Sequence, residues 1–192
     1  YTLLLISLIA FLNLYGFKLK FNILKFKDKI FLKALKDIYH NVSNAPHDNF
    51  TTDEARRMSS KLTKEAFSHV NFQILGSENL PYNSNCIFIY NHLENHPSYT
   101  VVDEFQITLD SHFISTFIVD KYYNQSGNRV ARFSLPSENN HKAYYDRLGF
   151  IRLYAKDFTP KNLKKEEIKT INHQFYPQAM ESLKSGSSLV FS

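Results

Sequence analysis

CIFIYNHLENHP, residues Cys86–Pro97, is an apolar run that stops abruptly at two Asn-His pairs. The apolar residues Ile87–Tyr90 predict a buried strand, and the polar residues that follow mark its carboxyl end. In open α/β sheets, ligands and catalytic groups collect at that end of the strands. Because histidine exchanges protons near neutral pH, His92 and His96 are candidate catalytic residues.

Strands and helices alternate along the rest of the chain. Further strands are predicted at Val70–Leu75, Phe113–Val119, Phe150–Tyr154 and Ser188–Phe191. Helices are predicted to begin at Thr51, which has capping-box spacing to Glu54, and to cover Thr100–Thr108, Lys142–Leu148 and Leu163–Lys184. Pro177 should kink or split the last helix. The alternation predicts an α/β fold with a mixed, largely parallel sheet flanked by helices.

The N-terminal residues Thr2–Phe17 are almost all apolar and uncharged. This length falls just short of the roughly 20 residues that span a bilayer, so part of a transmembrane helix, a signal-peptide core and a buried helix are all open interpretations. Lysines follow directly, which favours a membrane anchor with the body of the protein on the cytoplasmic side. We expect residues 1–45 to form a membrane-anchoring, basic amphipathic segment and residues 46–192 to form the domain.

Residues Phe21–Tyr39 interleave lysines with apolar residues. The apolar face comprises Phe31, Leu35 and Ile38, with Lys29, Lys33 and Lys36 beside it. Such a helix could lie on anionic lipid, or it could be a core-packed helix with a solvated basic face. Its position next to the apolar segment favours lipid over nucleic acid as a partner.

The composition and the absence of certain motifs exclude some classes of function. The net charge of +5 is concentrated near the N-terminus, and the single cysteine, Cys86, excludes a disulfide within the chain. The chain has neither a CxxC nor an HExxH motif, so we expect no metal and no bound cofactor.

Four blocks of the chain stand in an order that a known family shares. They are Gly76–Pro81 for a G-x-E-N-L-P turn, Ile87–His92 for a strand followed by Asn-His, Phe117–Lys121 for a second strand ending in lysine, and Leu148–Arg152 for a G-x-I-x-x-x-R block. In the last block Arg152 comes earlier than the family's arginine, so Lys156 is the alternative. These blocks resemble the glycerolipid acyltransferase family, of the 1-acylglycerol-3-phosphate O-acyltransferase type. The likeness runs from about Val70 to the end of the chain, before the family's F-P-E-G-T block. We therefore expect an acyltransferase domain that is incomplete at its C-terminus.

The resemblance implies an O-acyltransferase of phospholipid synthesis at a membrane. It would move a fatty acyl group from acyl-CoA or acyl-carrier protein, as co-substrate, to a lysophosphatidate-like glycerol phosphate acceptor. Histidine would be the general base, with a carboxylate that orients it. The family pattern H-x-x-x-x-D is not met here, because Pro97 and Val101 occupy the aspartate position counted from His92 and His96. Asp103 is the nearest carboxylate downstream of His96, so His96 with Asp103 is preferred over His92.

The acceptor's phosphate would need cationic donors with fixed geometry. The candidate substrate-binding residues are Arg152, Lys156, Gly149, Lys121 and Arg132, with Arg129 as a further possibility. Simpler roles stay open, because a histidine here could cap a helix and Arg129 and Arg132 could be solvated charges. A hydrolase of lipid esters that uses the same His and Asp, and a non-catalytic protein that binds lipid surfaces, are the alternative functions.

Overall fold

The computed structural model describes residues 2–46, 48, 50–93, 96–103 and 105–192, apart from the side chains of residues 2–14 and 17–24. Its strands are β1 (Ile87–Ile89), β2 (Thr100–Val102), β3 (Phe105–Gln106), β4 (Asn128–Arg132), β5 (Ile151–Leu153) and β6 (Leu189–Phe191). Strands β1, β6, β4 and β5 form, in that order, a parallel sheet, and β2 and β3 form a separate antiparallel pair.

Helices surround this sheet. They are α1 (Thr2–Ser43), α2 (Thr52–Phe67), α3 (Leu109–Phe113), α4 (Lys121–Tyr123), α5 (Asn139–Leu148), α6 (Lys165–His173) and α7 (Phe175–Lys184). The π-helical turns of Ile114–Asp120 join α3 to α4 without a break. The predicted α/β class, with a largely parallel sheet flanked by helices, is confirmed.

The register of the sheet brings the carboxyl ends of its strands to one edge. Leu189 of β6 lies between Ile87 of β1 and Asn128 of β4. On the other side of β4, Val130 pairs with Ile151 of β5. Because all these pairings are parallel, the residues that follow each strand meet at the same edge.

Helices α1, α2 and α5 build the main hydrophobic core. Its fully buried side chains include Leu35, Ile38, Val42, Ala55, Tyr144 and Leu148. The predicted apolar face of α1 is therefore confirmed, with Lys29, Lys33 and Lys36 exposed beside it. A smaller cluster of Ile151, Ala179 and Leu189 packs α7 against the sheet.

The start of α2 follows from a local hydrogen-bond exchange. The Glu54 backbone N–H donates to Thr51 Oγ1 at 3.2 Å, and the Thr51 backbone N–H donates to Glu54 Oε2 at 2.6 Å. This capping box satisfies two backbone donors that the first turn leaves without partners, and it confirms the predicted start of the helix.

The predicted N-terminal anchor falls mostly on side chains outside the described set, with Tyr15 and Gly16 as exceptions. Within the part of the chain that the structure describes, no helix combines enough length with enough apolar character to span a membrane.

The strand predicted at Phe113–Val119 is wrong, because these residues are helical. The only polar residues of the run, Ser115 and Thr116, are adjacent, so neither a helical nor a strand period stands out in its sequence. The helix is favoured because the rings of Phe113 and Phe117, 4.9 Å apart, join an aromatic cluster with Phe67 and Phe72. Lys121 consequently begins α4 and does not end a strand.

Two further predictions of secondary structure are also wrong. Thr100–Thr108, predicted as a helix, contains β2 and β3, because its β-branched residues pair across a turn and bury Val101, Phe105 and Ile107. Val70–Leu75 forms no strand and stays largely exposed, with Phe72 as its anchor in the aromatic cluster.

Strand β1 forms where predicted but at the edge of the sheet. It pairs with β6, and Ile87 and Ile89 are 52% and 72% exposed. The prediction of a buried strand is therefore corrected, since the apolar side chains on one face of β1 have no covering layer in the described chain.

The later elements agree with the sequence. Strands β5 and β6 lie within the predicted ranges, and Gly149 ends α5 in the left-handed conformation. The long predicted helix splits into α6 and α7 just before Pro177, which has no N–H to continue the helical ladder.

We expect Gly149→Ala to destabilise the protein strongly. Gly149 has φ +58, and a Cβ atom there would lie 2.7 Å from Thr52 Cγ2. The left-handed conformation costs an L-residue about 1–2 kcal/mol, and the overpacking adds about 1–3 kcal/mol. Urea denaturation measures the loss in the free energy of unfolding.

Gly186→Ala is the matched control, because Gly186 has φ +88 but open space where a Cβ would lie. It should carry only the conformational cost. Equal losses in the two variants would contradict the predicted clash with Thr52.

Candidate active site

A cleft of about 640 Å³ opens at the carboxyl edge of the sheet. The ends of β1, β4, β5 and β6 form its floor, and β3 and α5 contribute to its sides. Its volume lies within the roughly 300–1,000 Å³ of ordinary small-molecule sites. Its lining includes the ionisable side chains of His92, Arg129, Arg132, Glu138 and His141.

His92 is paired with a carboxylate that the sequence analysis did not select. Its Nδ1 lies 2.5 Å from Asp110 Oδ2 at the start of α3. The His92 side chain is 46% exposed and faces the cleft, whereas the Asp110 side chain is only 8% exposed. A carboxylate at Nδ1 fixes the tautomer that carries its hydrogen there, which leaves Nε2 free to accept a proton from a molecule in the cleft.

Several hydrogen bonds hold Asp110 in place. The Leu93 backbone N–H donates to Oδ2 at 2.6 Å, and the Ser111 backbone N–H donates to Oδ1 at 2.6 Å. Ser111 Oγ is 2.6 Å from the Tyr90 hydroxyl and 3.4 Å from Asp110 Oδ1. Burial raises the pKa of Tyr90, so its phenol keeps its proton and can donate to Ser111. The chain Tyr90–Ser111–Asp110–His92 orients the imidazole from behind.

Arg129 of β4 is a buried cation beside this pair. Its Nε donates to Ser115 Oγ at 2.8 Å, and its guanidinium lies 5.3 Å from the centre of the Phe150 ring. Burial lowers its pKa, but arginine stays charged in proteins. No carboxylate of the described residues forms an ion pair with it. The charge of Asp110 acts on Arg129 without direct contact, and the guanidinium keeps N–H donors that suit an anion in the cleft.

His112 does not neutralise Arg129. Burial, and then the positive charge of Arg129, lower the His112 pKa well below its usual value, so the ring is neutral. Its Nδ1–H donates to the Thr108 carbonyl at 2.7 Å, and Nε2 accepts from the Tyr144 hydroxyl at 2.7 Å. The contact of 3.3 Å between Nδ1 and Arg129 Nη1 is therefore not a hydrogen bond, and the guanidinium keeps free donors.

Arg132 is the second cation of the cleft, and it already has a partner. Its two terminal nitrogens donate to the Glu138 carboxylate at 2.6 and 2.7 Å, and the guanidinium lies 4.1 Å from the centre of the Phe158 ring. Burial and the charge of Arg132 lower the pKa of His141 to about 4, so His141 is uncharged at neutral pH. Arg129 is thus the cation of the cleft with donors to spare.

The structure does not bring together the predicted pair His96 and Asp103. His96 Nδ1 accepts a hydrogen bond from the Ser98 backbone N–H at 3.2 Å, which is the capping role left open above. The Asp103 side chain is exposed, and among the described residues no hydrogen bond joins it to His96. His92, the second choice, is the histidine with a carboxylate partner.

Of the predicted substrate-binding residues, Arg132 and the further candidate Arg129 line the cleft. Arg152 forms an ion pair with Asp146 at 2.9 Å, and Lys156 is exposed on the loop after β5. Gly149 packs against Thr52, so its role is structural. Lys121 lies at the opposite end of the continuous helix from Asp110.

Sequence reasoning missed Asp110 because the β2–β3 pair separates it from His92. The two residues are 18 positions apart, and only the reversal of the chain at this hairpin brings them together. The available signal was an aspartate in a Thr-Leu-Asp-Ser sequence, Thr108–Ser111, which is typical of a helix start.

The described residues contain no group of three or more His, Cys, Asp or Glu side chains that could hold a metal ion. No family model, curated protein or solved structure significantly matches the chain. The site must therefore be interpreted from its own geometry.

Proposed function

We propose that the protein is an O-acyltransferase that moves a fatty acyl group from acyl-CoA or acyl-carrier protein to a lysophosphatidate-like glycerol phosphate acceptor. The observation that carries this proposal is the His92–Asp110 pair at a cleft that also contains an unpaired guanidinium. A general base and an anion site are the two groups that acylation of a phosphorylated alcohol requires. The resemblance to glycerolipid acyltransferases supports the same reaction.

In the proposed reaction, His92 Nε2 takes the proton of the acceptor hydroxyl as its oxygen attacks the thioester carbonyl. The Asp110 carboxylate stabilises the imidazolium that results. When the tetrahedral intermediate collapses, the C–S bond breaks and the imidazolium returns the proton to the departing thiolate. The products are an ester and a free thiol, and the base is restored.

Arg129 is the proposed anchor for the acceptor's phosphate. Its free N–H donors suit a phosphate oxygen, and the buried site strengthens the attraction because little water competes. An anion bound there would lie in the same cleft as His92 Nε2. Binding would then hold the acceptor near the base, which lowers the entropic cost of the reaction.

We also propose that α1 rests on an anionic membrane surface. The exposed surface of α1 carries what we term the basic stripe, Phe26, Lys29, Ile30, Lys33 and Lys36, with Asp37 as an exposed acidic neighbour. Phe26 is 65% exposed and Ile30 is 39% exposed, and neither contributes to the core. Exposed apolar residues among lysines are typical of helices that bind the surface of a bilayer.

Replacing the base tests the reaction. In the full-length protein, His92→Ala should lower kcat for acyl transfer by about 10²- to 10⁴-fold, because the variant has no imidazole to take the hydroxyl proton. Asp110→Asn should lower it by at least about 10²-fold, since the amide orients the wrong tautomer. Thiol release and mass spectrometry of the acylated acceptor measure both.

The controls are His96→Ala and Asp103→Asn, which should stay within about twofold of the unchanged protein. A larger loss in these variants than in the His92 and Asp110 variants would overturn the assignment. Release of free fatty acid without an acylated acceptor would identify a hydrolase that uses the same pair.

Replacing the proposed anchor tests the phosphate site. Arg129→Met should weaken binding of the acceptor by roughly 10- to 100-fold, the usual loss for charge-assisted hydrogen bonds. Arg129→Lys should recover part of the affinity, because it keeps the charge without the fork. Calorimetry with glycerol 3-phosphate measures both affinities.

Lys121→Met removes an equal charge from a position outside the cleft, and circular dichroism verifies that each variant is folded. Equal losses for the Arg129 and Lys121 variants would mean that general charge, and not a local site, governs binding.

Reversing the charge of the basic stripe tests membrane association. The triple variant Lys29→Glu, Lys33→Glu, Lys36→Glu should lose binding to vesicles of anionic lipid, since each lysine near such a surface contributes about 1 kcal/mol. Binding by the unchanged protein should also weaken as salt is raised. Sedimentation with vesicles measures the bound fraction.

The matched control reverses three exposed lysines near and on α6, Lys161, Lys165 and Lys169. Equal loss in both triple variants would contradict a role for α1. Vesicle binding without any acyl transfer, by a folded full-length protein, would instead favour a non-catalytic lipid-binding role.

A further inference from the structure

The segment Val70–Leu75, which we term the apolar loop, follows α2 and contains no charged residue. Its large apolar side chains reach the surface: Leu75 is 78% exposed, Phe72 is 42% exposed and Val70 is 38% exposed. Single exposed apolar residues are common, but several of them on one short segment mark an interaction surface. The apolar loop therefore has apolar area that no described part of the chain covers.

Ring contacts hold the apolar loop in a fixed position. The ring of Phe72 lies 4.9 Å from that of Phe113 and 4.7 Å from that of Phe117, both in edge-to-face geometry. Aromatic pairs of this kind add stability beyond their buried area. Because Phe72 is anchored in the protein, Val70 and Leu75 on either side of it are presented outward from a defined place.

The apolar loop lies at the end of the domain from which α1 projects. The ring of Phe31 in α1 is 5.2 Å from that of Phe67, and Phe67 is 6.2 Å from Phe72. On the N-terminal side of Phe31, the residues Lys25–Ile30 are all exposed. Six consecutive residues cover more than one full turn, so α1 is exposed on all its sides there. The projecting part of α1 thus begins next to the apolar loop.

The charge of the neighbouring helix indicates the partner. The projecting turns of α1 carry exposed lysines between exposed apolar residues and one acidic residue, namely Lys25, Phe26, Lys27, Asp28, Lys29 and Ile30. Lysines beside apolar side chains suit a bilayer with anionic headgroups. A second copy of the chain would bring equal charges together at this end, which opposes association.

We propose that the apolar loop inserts into the interfacial layer of an anionic membrane beside α1, with Val70 and Leu75 as the inserted side chains. The inference rests on the proposed membrane role of α1 and adds a second, apolar contact to it. Phe113, which holds Phe72, lies in α3 three residues after Asp110, or about one helical turn. Insertion of the apolar loop would therefore hold the helix of the catalytic carboxylate close to the layer that contains a lipid acceptor.

A single introduced tryptophan tests the insertion, because the chain has no tryptophan of its own. In the full-length protein, Leu75→Trp should shift its fluorescence to shorter wavelengths on vesicles of phosphatidylglycerol and phosphatidylcholine. Bromine on the acyl chains should quench it, because the indole enters the membrane interface. Tyr176→Trp is the matched control: Tyr176 is 62% exposed but lies on α7, and its replacement should report water throughout.

Vesicle binding measures the contribution of the apolar contact. Leu75→Gln should weaken binding roughly 3- to 10-fold, which corresponds to about half the effect of fully burying a leucine side chain. The loss should be clearest at high salt, where the attraction between lysines and anionic lipid is screened. Met180→Gln is the matched control, since Met180 is 52% exposed on α7, and this variant should bind as the unchanged protein does.

Unshifted and unquenched fluorescence of Leu75→Trp on bound protein would overturn the inference, as would equal losses in the Leu75 and Met180 variants. A shift to shorter wavelengths that requires no lipid and grows with protein concentration would also overturn it, because a second copy would then cover the apolar loop.

The failure of this inference is distinct from that of the proposed function. Vesicle binding through the lysines, with tryptophan 75 in water, removes only the insertion of the apolar loop. A complete lack of vesicle binding removes the insertion together with the membrane role of α1. Insertion without any acyl transfer supports the apolar loop and removes only the proposed reaction.

Discussion

The carboxylate of Asp110 joins two segments of chain that the sequence keeps apart. One of its oxygens takes hydrogen bonds from His92 and from the Leu93 backbone, at the end of β1, and the other takes the Ser111 backbone N–H at the start of α3. This contact closes the base of the β2–β3 hairpin, whose side chains Val101, Phe105 and Ile107 are also held in the main core. The orientation of the imidazole depends on that closure.

Charge is distributed unevenly around this contact. Arg129 is buried without a direct ion pair to a carboxylate of the described residues, and the buried His112 and His141 have lowered pKa values and are neutral. Arg132 is balanced by Glu138. Arg129 therefore has no direct ion-pair partner among the described residues, although the charge of Asp110 acts on it from a distance. Its free N–H donors attract an anion more strongly in this low local dielectric than those of a solvated lysine.

The sequence was sufficient to predict those structural features that a few neighbouring residues determine. The end of β1 shortly before His92, the capping box at Thr51 and the split before Pro177 each follow from a few adjacent residues. It was insufficient where distant partners decide. Strand β4 was not predicted, because two arginines in one short strand are favoured only when distant partners bind them. Here Ser115 accepts a hydrogen bond from Arg129, and Glu138 accepts one from Arg132. Likewise, Asp110 acquires its role through a fold-back that no spacing rule anticipates.

The two hydrophobic clusters differ greatly in the number of side chains that they bury. Helix α6 has no buried residue, and the cluster beneath α7 contains three buried side chains, whereas α1, α2 and α5 share an extensive interior. Regions with few buried contacts open at lower free energy than the rest of a protein. Amide hydrogens of the β5–α6 side should thus exchange sooner than those of α2 and α5. Leu153 and Ala155 line the cleft on this less stable side, whereas Phe105 and Tyr145, which line it elsewhere, belong to the main core. Local opening on the β5–α6 side can consequently widen the cleft for a bulky ligand, while His92 and Asp110 stay aligned.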